Sequence, residues 1–222
     1  FCTGVSSGLP LLITGSTLQA WMKDEGVDLT VIGLFAFVGL PYTLKFLWAP
    51  LMDRFVPPFL GRRRGWMLVT QLCLMAAILS LGLVKPNEQP WLVAFMAVLV
   101  TFFSASQDIV LDAFRREYLA ENQLGMGTGL FVNGYRIGML ITGALALVLA
   151  DQFPWETVYM IMAAFMSIGV VTTLIAPEPR VDVPPPRTLK EAVIEPFREY
   201  FSREGAWVLL LFILLYKVGD NM

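Results

Sequence analysis

Residues 91–110 read WLVAFMAVLVTFFSASQDIV, a run whose single charged side chain is Asp108. About 20 mostly apolar residues are what a helix needs to cross the hydrocarbon core of a bilayer. Polar groups gather near the end of this run, where Ser104, Ser106 and Gln107 precede the carboxylate. The run therefore predicts a transmembrane helix that turns polar groups toward the interior of a helix bundle.

Comparable apolar runs fill most of the chain. They cover residues 1–22, 31–52, 65–84, 91–110, 125–150 and 155–176, and a seventh begins at 206. The connectors are short and polar and leave no room for a soluble catalytic domain, so we expect a protein that is not an enzyme. We predict an all-α polytopic membrane protein with a six-helix bundle over 1–176, a cytoplasmic linker over 177–205 and the start of a seventh transmembrane helix over 206–222. The first residue is Phe1, and the last run still reads as helix at Met222, so we expect a piece of a longer protein.

The composition agrees with a membrane protein and excludes several other classes. The 222 residues are 56% hydrophobic and 15% charged, whereas soluble domains average about 45–50% apolar and about 25% charged. A net charge of -2 argues against a nucleic-acid binder, and the absence of histidine excludes histidine proton relays and histidine metal sites. The two cysteines lie in apolar runs and suit neither a disulfide framework nor a zinc site. We predict no metal and no cofactor.

Lysine and arginine predict the orientation in the membrane. The connectors 53–64, 113–124 and 177–205 hold 11 of these cations, and the alternate connectors hold only Lys23 and Lys85. Because cytoplasmic loops carry the excess of Lys and Arg, we place the first set in the cytoplasm. Within 177–205, three prolines at 184–186 predict a stiff spacer, and Thr188 with Glu191 predicts a capping box that begins a helix at the membrane surface. A partly ordered linker is the alternative.

The fourth run carries a polar face formed by Thr101, Ser104, Asp108 and Asp112, which recur at helical spacing. Two carboxylates one turn apart repel each other, which favours proton uptake by one of them. We therefore interpret both as candidates for proton coupling. The alternative is that Asp112 merely ends the helix at the cytoplasmic interface.

The fifth run places Gly125, Gly129, Asn133, Arg136 and Gly143 along one stripe, which predicts close approach to a neighbouring helix. Arg136 lies roughly 16 Å into this run, near mid-membrane. An arginine there needs a carboxylate, water or an anionic ligand. We expect it to bind the carboxylate of a cargo or to contact Asp108, and a purely structural ion pair stays open.

Further polar groups within the runs complete the candidate binding set. Lys45 lies in the second run, where snorkelling to the cytoplasmic surface is the alternative. Lys217 and Asp220 lie three residues apart in the seventh run, and we group Asp220 with the candidate proton carriers. The candidates for substrate binding are Gln19, Lys45, Gln107, Asn133, Arg136 and Lys217. Six helices, a long amphipathic connector and a further helix are the layout of one half of a major facilitator transporter, whose substrate site lies between two such halves.

Several stretches also resemble known families. Asp53-Arg54 and Gly61-Arg62-Arg63, separated here by 55–60, resemble the major facilitator loop motif, which implies a conformational gate. More specific stretches cover the chain from end to end and resemble the AmpG muropeptide permease family; they are GLP at 8–10, LQAWM at 18–22, KFLWAPLMDR at 45–54, SASQDIVLDA at 104–113, GYR at 134–136 and YKVGD at 216–220.

This resemblance implies a proton symporter of the bacterial inner membrane that imports N-acetylglucosaminyl-1,6-anhydro-N-acetylmuramyl peptides for peptidoglycan recycling. It also implies a link to β-lactamase induction. The expected partners are the muropeptide, protons, the lipid bilayer and the remaining C-terminal half of the transporter, with no nucleic acid.

Two other functions stay open. Acetyl-coenzyme A transporters of the same superfamily share a segment much like residues 107–112. An intramembrane prenyltransferase would use Asp108-x-x-x-Asp112 to hold Mg²⁺ on a diphosphate, but such an enzyme needs a second acidic cluster, which the other runs do not supply.

Overall fold

The computed structural model describes residues 1–179 and 188–220, and the regular elements in these ranges are all helices. The first apolar run forms two of them, α1 (Cys2–Thr14) and α2 (Ser16–Asp24). They meet at Gly15, whose φ of -97° and ψ of -116° lie outside the helical region. The prediction of one continuous helix over 1–22 is therefore wrong at this residue.

The second run is the least regular. It comprises α3 (Leu29–Leu34), a 3₁₀ turn at Phe35–Gly39, α4 (Leu40–Leu44), a second 3₁₀ turn at Lys45–Leu47, and α5 (Ala49–Arg54). Asp28 caps α3, since its Oδ1 accepts a hydrogen bond from Thr30 N at 2.8 Å. Repeated switching between α and 3₁₀ turns indicates a strained or adjustable segment.

The next four runs form longer helices. They are α6 (Arg62–Gly82), α7 (Pro90–Tyr118), α8 (Leu124–Leu140), a π-helical turn (Ile141–Leu145), α9 (Ala146–Ala150), α10 (Trp155–Phe165) and α11 (Ser167–Ile175). The main departure from the predicted boundaries is α7, which continues past Val110 to Tyr118. Asp112 therefore lies inside a helix and does not end one.

By length and composition, five helical stretches within the described residues are able to cross a membrane. These are Leu29–Leu47, Arg62–Gly82, Pro90–Tyr118, Glu121–Ala150 and Trp155–Ile175. The first run does not qualify because the break at Gly15 divides it into shorter pieces, and the last described helix has only 15 residues. Five of the six complete apolar runs therefore form helices that are able to span a membrane.

The chain divides into two compact units. The first comprises residues 1–49 and 56–182, and its core consists of fully buried apolar side chains from several helices, among them Leu9, Ile13, Leu74, Ile78, Val100 and Met162. The second comprises 50–55 and 183–222 and contains α12 (Leu189–Ser202) and α13 (Ala206–Asp220). Thr188 Oγ1 accepts a hydrogen bond from Glu191 N at 3.1 Å, as the predicted cap of α12 requires. The proline spacer at 184–186 lies outside the described residues.

Candidate functional site

The polar face of α7 contacts the irregular second run. Thr101 Oγ1 donates a hydrogen bond to Val38 O at 2.8 Å, and Tyr42 Oη donates to Ser104 Oγ at 2.9 Å. The indole Nε1 of Trp48 donates to Ser106 Oγ at 3.0 Å. Two residues of the predicted face, Thr101 and Ser104, thus contact neighbouring polar groups, and Ser106, which lies outside that face, does so as well.

Asp108 lies where α7 packs against α1. Ser7 Oγ donates a hydrogen bond to Asp108 Oδ1 at 2.6 Å, and the preceding pair is joined as well, since Gln107 Nε2 donates to Ser6 Oγ at 3.0 Å. Two consecutive residues of one helix therefore bond two consecutive residues of the other. Lys45 is the cation that interacts electrostatically with the Asp108 carboxylate.

Asp112, one turn further along α7, has different surroundings. Its side chain is 53% exposed, and its Oδ1 accepts a hydrogen bond from Arg115 Nη2 at 2.8 Å. Arg115 in turn stacks on Phe131, with its guanidinium carbon 4.4 Å from the ring centroid. The structure thus separates the two carboxylates that the sequence grouped together.

Glycines bring α1 and α8 into close contact. A methyl group added at Gly4 or Gly8 would lie 2.1 Å from a backbone oxygen of α8, and one at Gly134 or Gly138 would lie 2.3 Å from a backbone oxygen at residue 1 or 5. The prediction that Gly125, Gly129 and Gly143 approach a neighbouring helix is therefore wrong in part. A methyl group added at Gly125 or Gly129 would have nothing within 4 Å, whereas one added at Gly143 would contact Leu12. The glycines that the contact requires lie on another face of the same helix.

Arg136 is exposed on α8, beside a shallow cavity of about 380 Å³ whose other lining residues are Leu12, Met139, Leu140, Gly143 and Ala144. Among the residues that the structure describes, no ion pair joins Arg136 to a carboxylate. The expected contact with Asp108 is therefore not formed: Arg136 lies exposed on α8, and the hydrogen bond to the Asp108 carboxylate comes from Ser7.

The remaining candidates for substrate binding differ in their surroundings. Gln19 is exposed on α2, and Asn133 is exposed on α8 with its Nδ2 bonded to Gly129 O at 2.9 Å. Gln107 is fully buried and faces other protein groups. The side chains of Lys217 and Asp220 lie outside the described part of the chain.

The basic connector before α6 joins three helix ends. The Arg63 guanidinium forms an ion pair with Glu117 at the end of α7, with Nε 2.7 Å from Oε2. Glu178 accepts hydrogen bonds from Arg63 N at 2.8 Å and Arg64 N at 3.0 Å, so its carboxylate caps the N-terminus of α6. Arg64 also donates to the carbonyls of Thr173 and Leu174 at the end of α11.

These contacts join Arg63, Glu117 and Glu178, one residue from each predicted cytoplasmic connector, at one end of the first unit. Sequence reasoning missed Glu117 and Glu178, whose only signal was an acidic residue within each basic connector. Gly61 and Arg62 also belong to the predicted loop motif. Gly61 has a φ of 91°, a backbone conformation that favours glycine, and Arg62 interacts with another group. Asp53 and Arg54 lie on α5 in the second unit, where Arg54 stacks on Phe55.

Comparison with known proteins agrees with this helical architecture. The family model described as Major Facilitator Superfamily matches residues 1–219. The chain is 50% identical over 218 residues to the Anhydromuropeptide permease of Escherichia coli (strain K12), covering 98% of this chain and 44% of that protein. It is 34% identical over 232 residues to the Putative transporter AmpG 4 of Rickettsia felis, covering 100% of this chain and 56% of that protein.

The chain therefore spans about half the length of the curated relatives it matches, and its helices correspond to one half of a transporter. Those relatives are bacterial proteins. With its apolar spans and the match over nearly its whole length, the chain belongs to the major facilitator superfamily and is a multi-pass protein of the bacterial inner membrane.

Proposed function

We propose that the chain forms the N-terminal half of a permease that imports anhydromuropeptides from the periplasm for peptidoglycan recycling. The observation that carries this proposal is the 50% identity with the Escherichia coli permease over 98% of the chain. The link to β-lactamase induction belongs to the same proposal.

The geometry supports a polar, anionic cargo. Arg136 is an exposed cation near the middle of a predicted span, beside an apolar cavity. A cation in that position is costly unless an anion or water meets it, and a peptide carboxylate matches the guanidinium in a bidentate manner. Asn133, on the same helix, adds an exposed amide.

Proton coupling is the second part of the proposal. Asp108 is a carboxylate held by one hydroxyl donor, Ser7, with Lys45 as its cationic neighbour. A proton on Asp108 would remove the charge that Lys45 faces and thereby alter the contact between the second run and α7. Asp220 is kept as a further candidate carrier on the basis of sequence alone.

Binding by the complete transporter tests the proposed cargo. The purified protein is titrated in detergent with labelled anhydromuropeptide and, separately, with labelled acetyl-coenzyme A. We expect saturable binding of the muropeptide that the unlabelled muropeptide displaces and acetyl-coenzyme A does not. Binding of acetyl-coenzyme A alone would replace this proposal with the other carrier function.

A further inference from the structure

A polar cluster closed to solvent adjoins the bond between Ser7 and Asp108. Its members are Ser6 on α1, Gln71 on α6, Gln107 on α7 and Thr173 on α11, and each of them is 0% exposed. Apolar core residues account for most of the interior of this unit, so four buried polar side chains from four helices need an explanation. The hydrogen bonds that they form provide one.

Each amide in the cluster has one end bonded and one end without a partner. Gln107 Nε2 donates to Ser6 Oγ at 3.0 Å, and Thr173 Oγ1 donates to Gln71 Oε1 at 2.9 Å. The opposite ends, Gln107 Oε1 and Gln71 Nε2, are buried and have no partner among the described residues. One is an acceptor and the other a donor, and buried groups of this kind are nearly always hydrogen-bonded.

Turning the amides over does not remove the problem. If Gln107 is turned, its oxygen faces Ser6 Oγ, whose proton is donated to Thr3 O at 3.1 Å, and its nitrogen becomes the group without a partner. If Gln71 is turned, its nitrogen faces the Thr173 hydroxyl and its oxygen is left unbonded. In either orientation, each amide lacks at least one partner.

The unbonded nitrogen and the serine hydroxyl face the same point of α11. A methyl group added at Gly169 would lie 2.8 Å from Ser6 Oγ and 3.0 Å from Gln71 Nε2. The two atoms are therefore at most about 5.8 Å apart, which is the greatest separation that two hydrogen bonds of about 2.9 Å to one water can bridge. Since Gln107 is bonded to the same serine, its amide belongs to the same small region.

We propose that this cluster binds one ordered water molecule, which accepts a hydrogen bond from Gln71 Nε2 and donates one to Gln107 Oε1. Water satisfies a buried donor and a buried acceptor at once, and buried waters typically make about three such bonds. The site links α6 to α7 and, through Ser6, to α1. The water thereby helps to fix the alignment of α1 with α7. In that alignment Ser7 and Asp108, the residues that follow Ser6 and Gln107, form their own hydrogen bond.

A structure of the complete transporter, at a resolution that shows ordered solvent, tests the site directly. We expect density within hydrogen-bond distance of both Gln71 Nε2 and Gln107 Oε1. The density should vanish in Gln71→Met, which keeps the length of the side chain and removes the donor, and should remain in Asp112→Asn, which changes an exposed residue of α7. A direct bond between the two amides in the wild type, or density unchanged in Gln71→Met, would overturn the proposal.

Thermal unfolding of the purified protein gives a second test that does not depend on transport. Gln71→Met removes one ligand of the water and the hydrogen bond from Thr173, and Gln107→Met removes the other ligand and the hydrogen bond to Ser6, so we expect each to lower the unfolding midpoint. The double variant should lose less than the two single losses taken together, because the water is already released by the first change. Fully additive losses would contradict a shared water.

Discussion

Asp108 and Asp112 lie one turn apart on α7, yet only Asp108 is held by another helix. We expect Asp108→Asn in the complete transporter to lose most uptake driven by a pH gradient and to keep part of its gradient-free exchange. Asparagine can still accept the hydrogen bond from Ser7 but cannot take up a proton. Uptake of labelled cargo into proteoliposomes, with and without the gradient, measures both activities.

Asp112→Asn is the matched control for that prediction, since it changes an exposed carboxylate whose partner, Arg115, lies on the same helix. We expect near-normal uptake in both assays. If Asp108→Asn retained full gradient-driven uptake, or if the two variants behaved alike, Asp108 would not be the coupling carboxylate.

Arg136 provides the second prediction for a single residue. Arg136→Lys keeps the charge and loses the bidentate geometry, so we expect cargo affinity to fall several-fold, and Arg136→Gln should bind more weakly still. Cargo titration in detergent measures both, after size-exclusion chromatography has confirmed folding. Arg203→Gln, which removes a surface cation paired with Glu199, is the control and should bind normally. Wild-type affinity in both Arg136 variants would leave that residue without a role in binding.

The contact between α1 and α8 makes a prediction about whole helices. A methyl group at Gly134 or Gly138 would lie 2.3 Å from backbone oxygens of α1 or its N-cap. We expect alanine at either position to cost about 1–3 kcal/mol of stability, or to separate the helices and reduce expression. Thermal unfolding in detergent is the measurement.

Gly125→Ala and Gly129→Ala are the controls for that prediction, because nothing lies within 4 Å of the added methyl group. Alanine is the better helix former by about 1 kcal/mol, so we expect unchanged or slightly raised stability. A loss of stability in these variants equal to that in Gly134→Ala would contradict the assignment of the contact face.

The ends of α6, α7 and α11 are held by charged groups, and one ion pair tests that arrangement. The Arg63 and Glu117 side chains are 7% and 18% exposed, whereas those of Arg203 and Glu199 are 68% and 69% exposed. Removing one partner of a buried pair costs about 3–5 kcal/mol, and exposed pairs contribute at most about 1 kcal/mol. We expect Glu117→Gln to lower the unfolding midpoint clearly and Glu199→Gln to leave it nearly unchanged. Similar midpoints for the two variants would show that the Arg63 pair does not hold these helix ends.

The positions of the helices follow from the sequence to very different degrees. Apolar runs of about 20 residues predict α6 well, and the run 155–176 coincides with α10 and α11 taken together. The break at Gly15 depends on a backbone conformation that composition does not specify. The end of α7 at Tyr118 was missed because its last turns lie beyond the apolar run.

The candidate site follows the same pattern. Helical spacing predicted the face of α7, since residues three and four apart share one side of a helix. It did not predict Ser7 or Lys45 as the groups at Asp108, nor Glu117 and Glu178 in the basic connector. These partners lie between 54 and 115 residues away along the chain, and only the packing of the helices brings them together.

The orientation of the whole molecule is tested by labelling. Arg63, Glu117 and Glu178, one residue from each basic connector, meet at one end of the first unit, so we expect the three connectors to share one side of the membrane. With Cys2 and Cys73 replaced by serine, we expect Phe59→Cys to resist an impermeant thiol reagent in intact cells and Asn87→Cys to react. Rapid labelling of Phe59→Cys from outside would reverse the predicted topology.

Import of an anhydromuropeptide is the activity that we propose for the transporter of which this chain forms one half. The most direct measurement is uptake of labelled anhydromuropeptide into proteoliposomes that contain the complete protein, with the pH outside lower than the pH inside. We predict saturable accumulation that collapses when the gradient is abolished and that excess acetyl-coenzyme A does not inhibit. No uptake beyond that of protein-free liposomes, with correctly folded and inserted protein, would contradict the account.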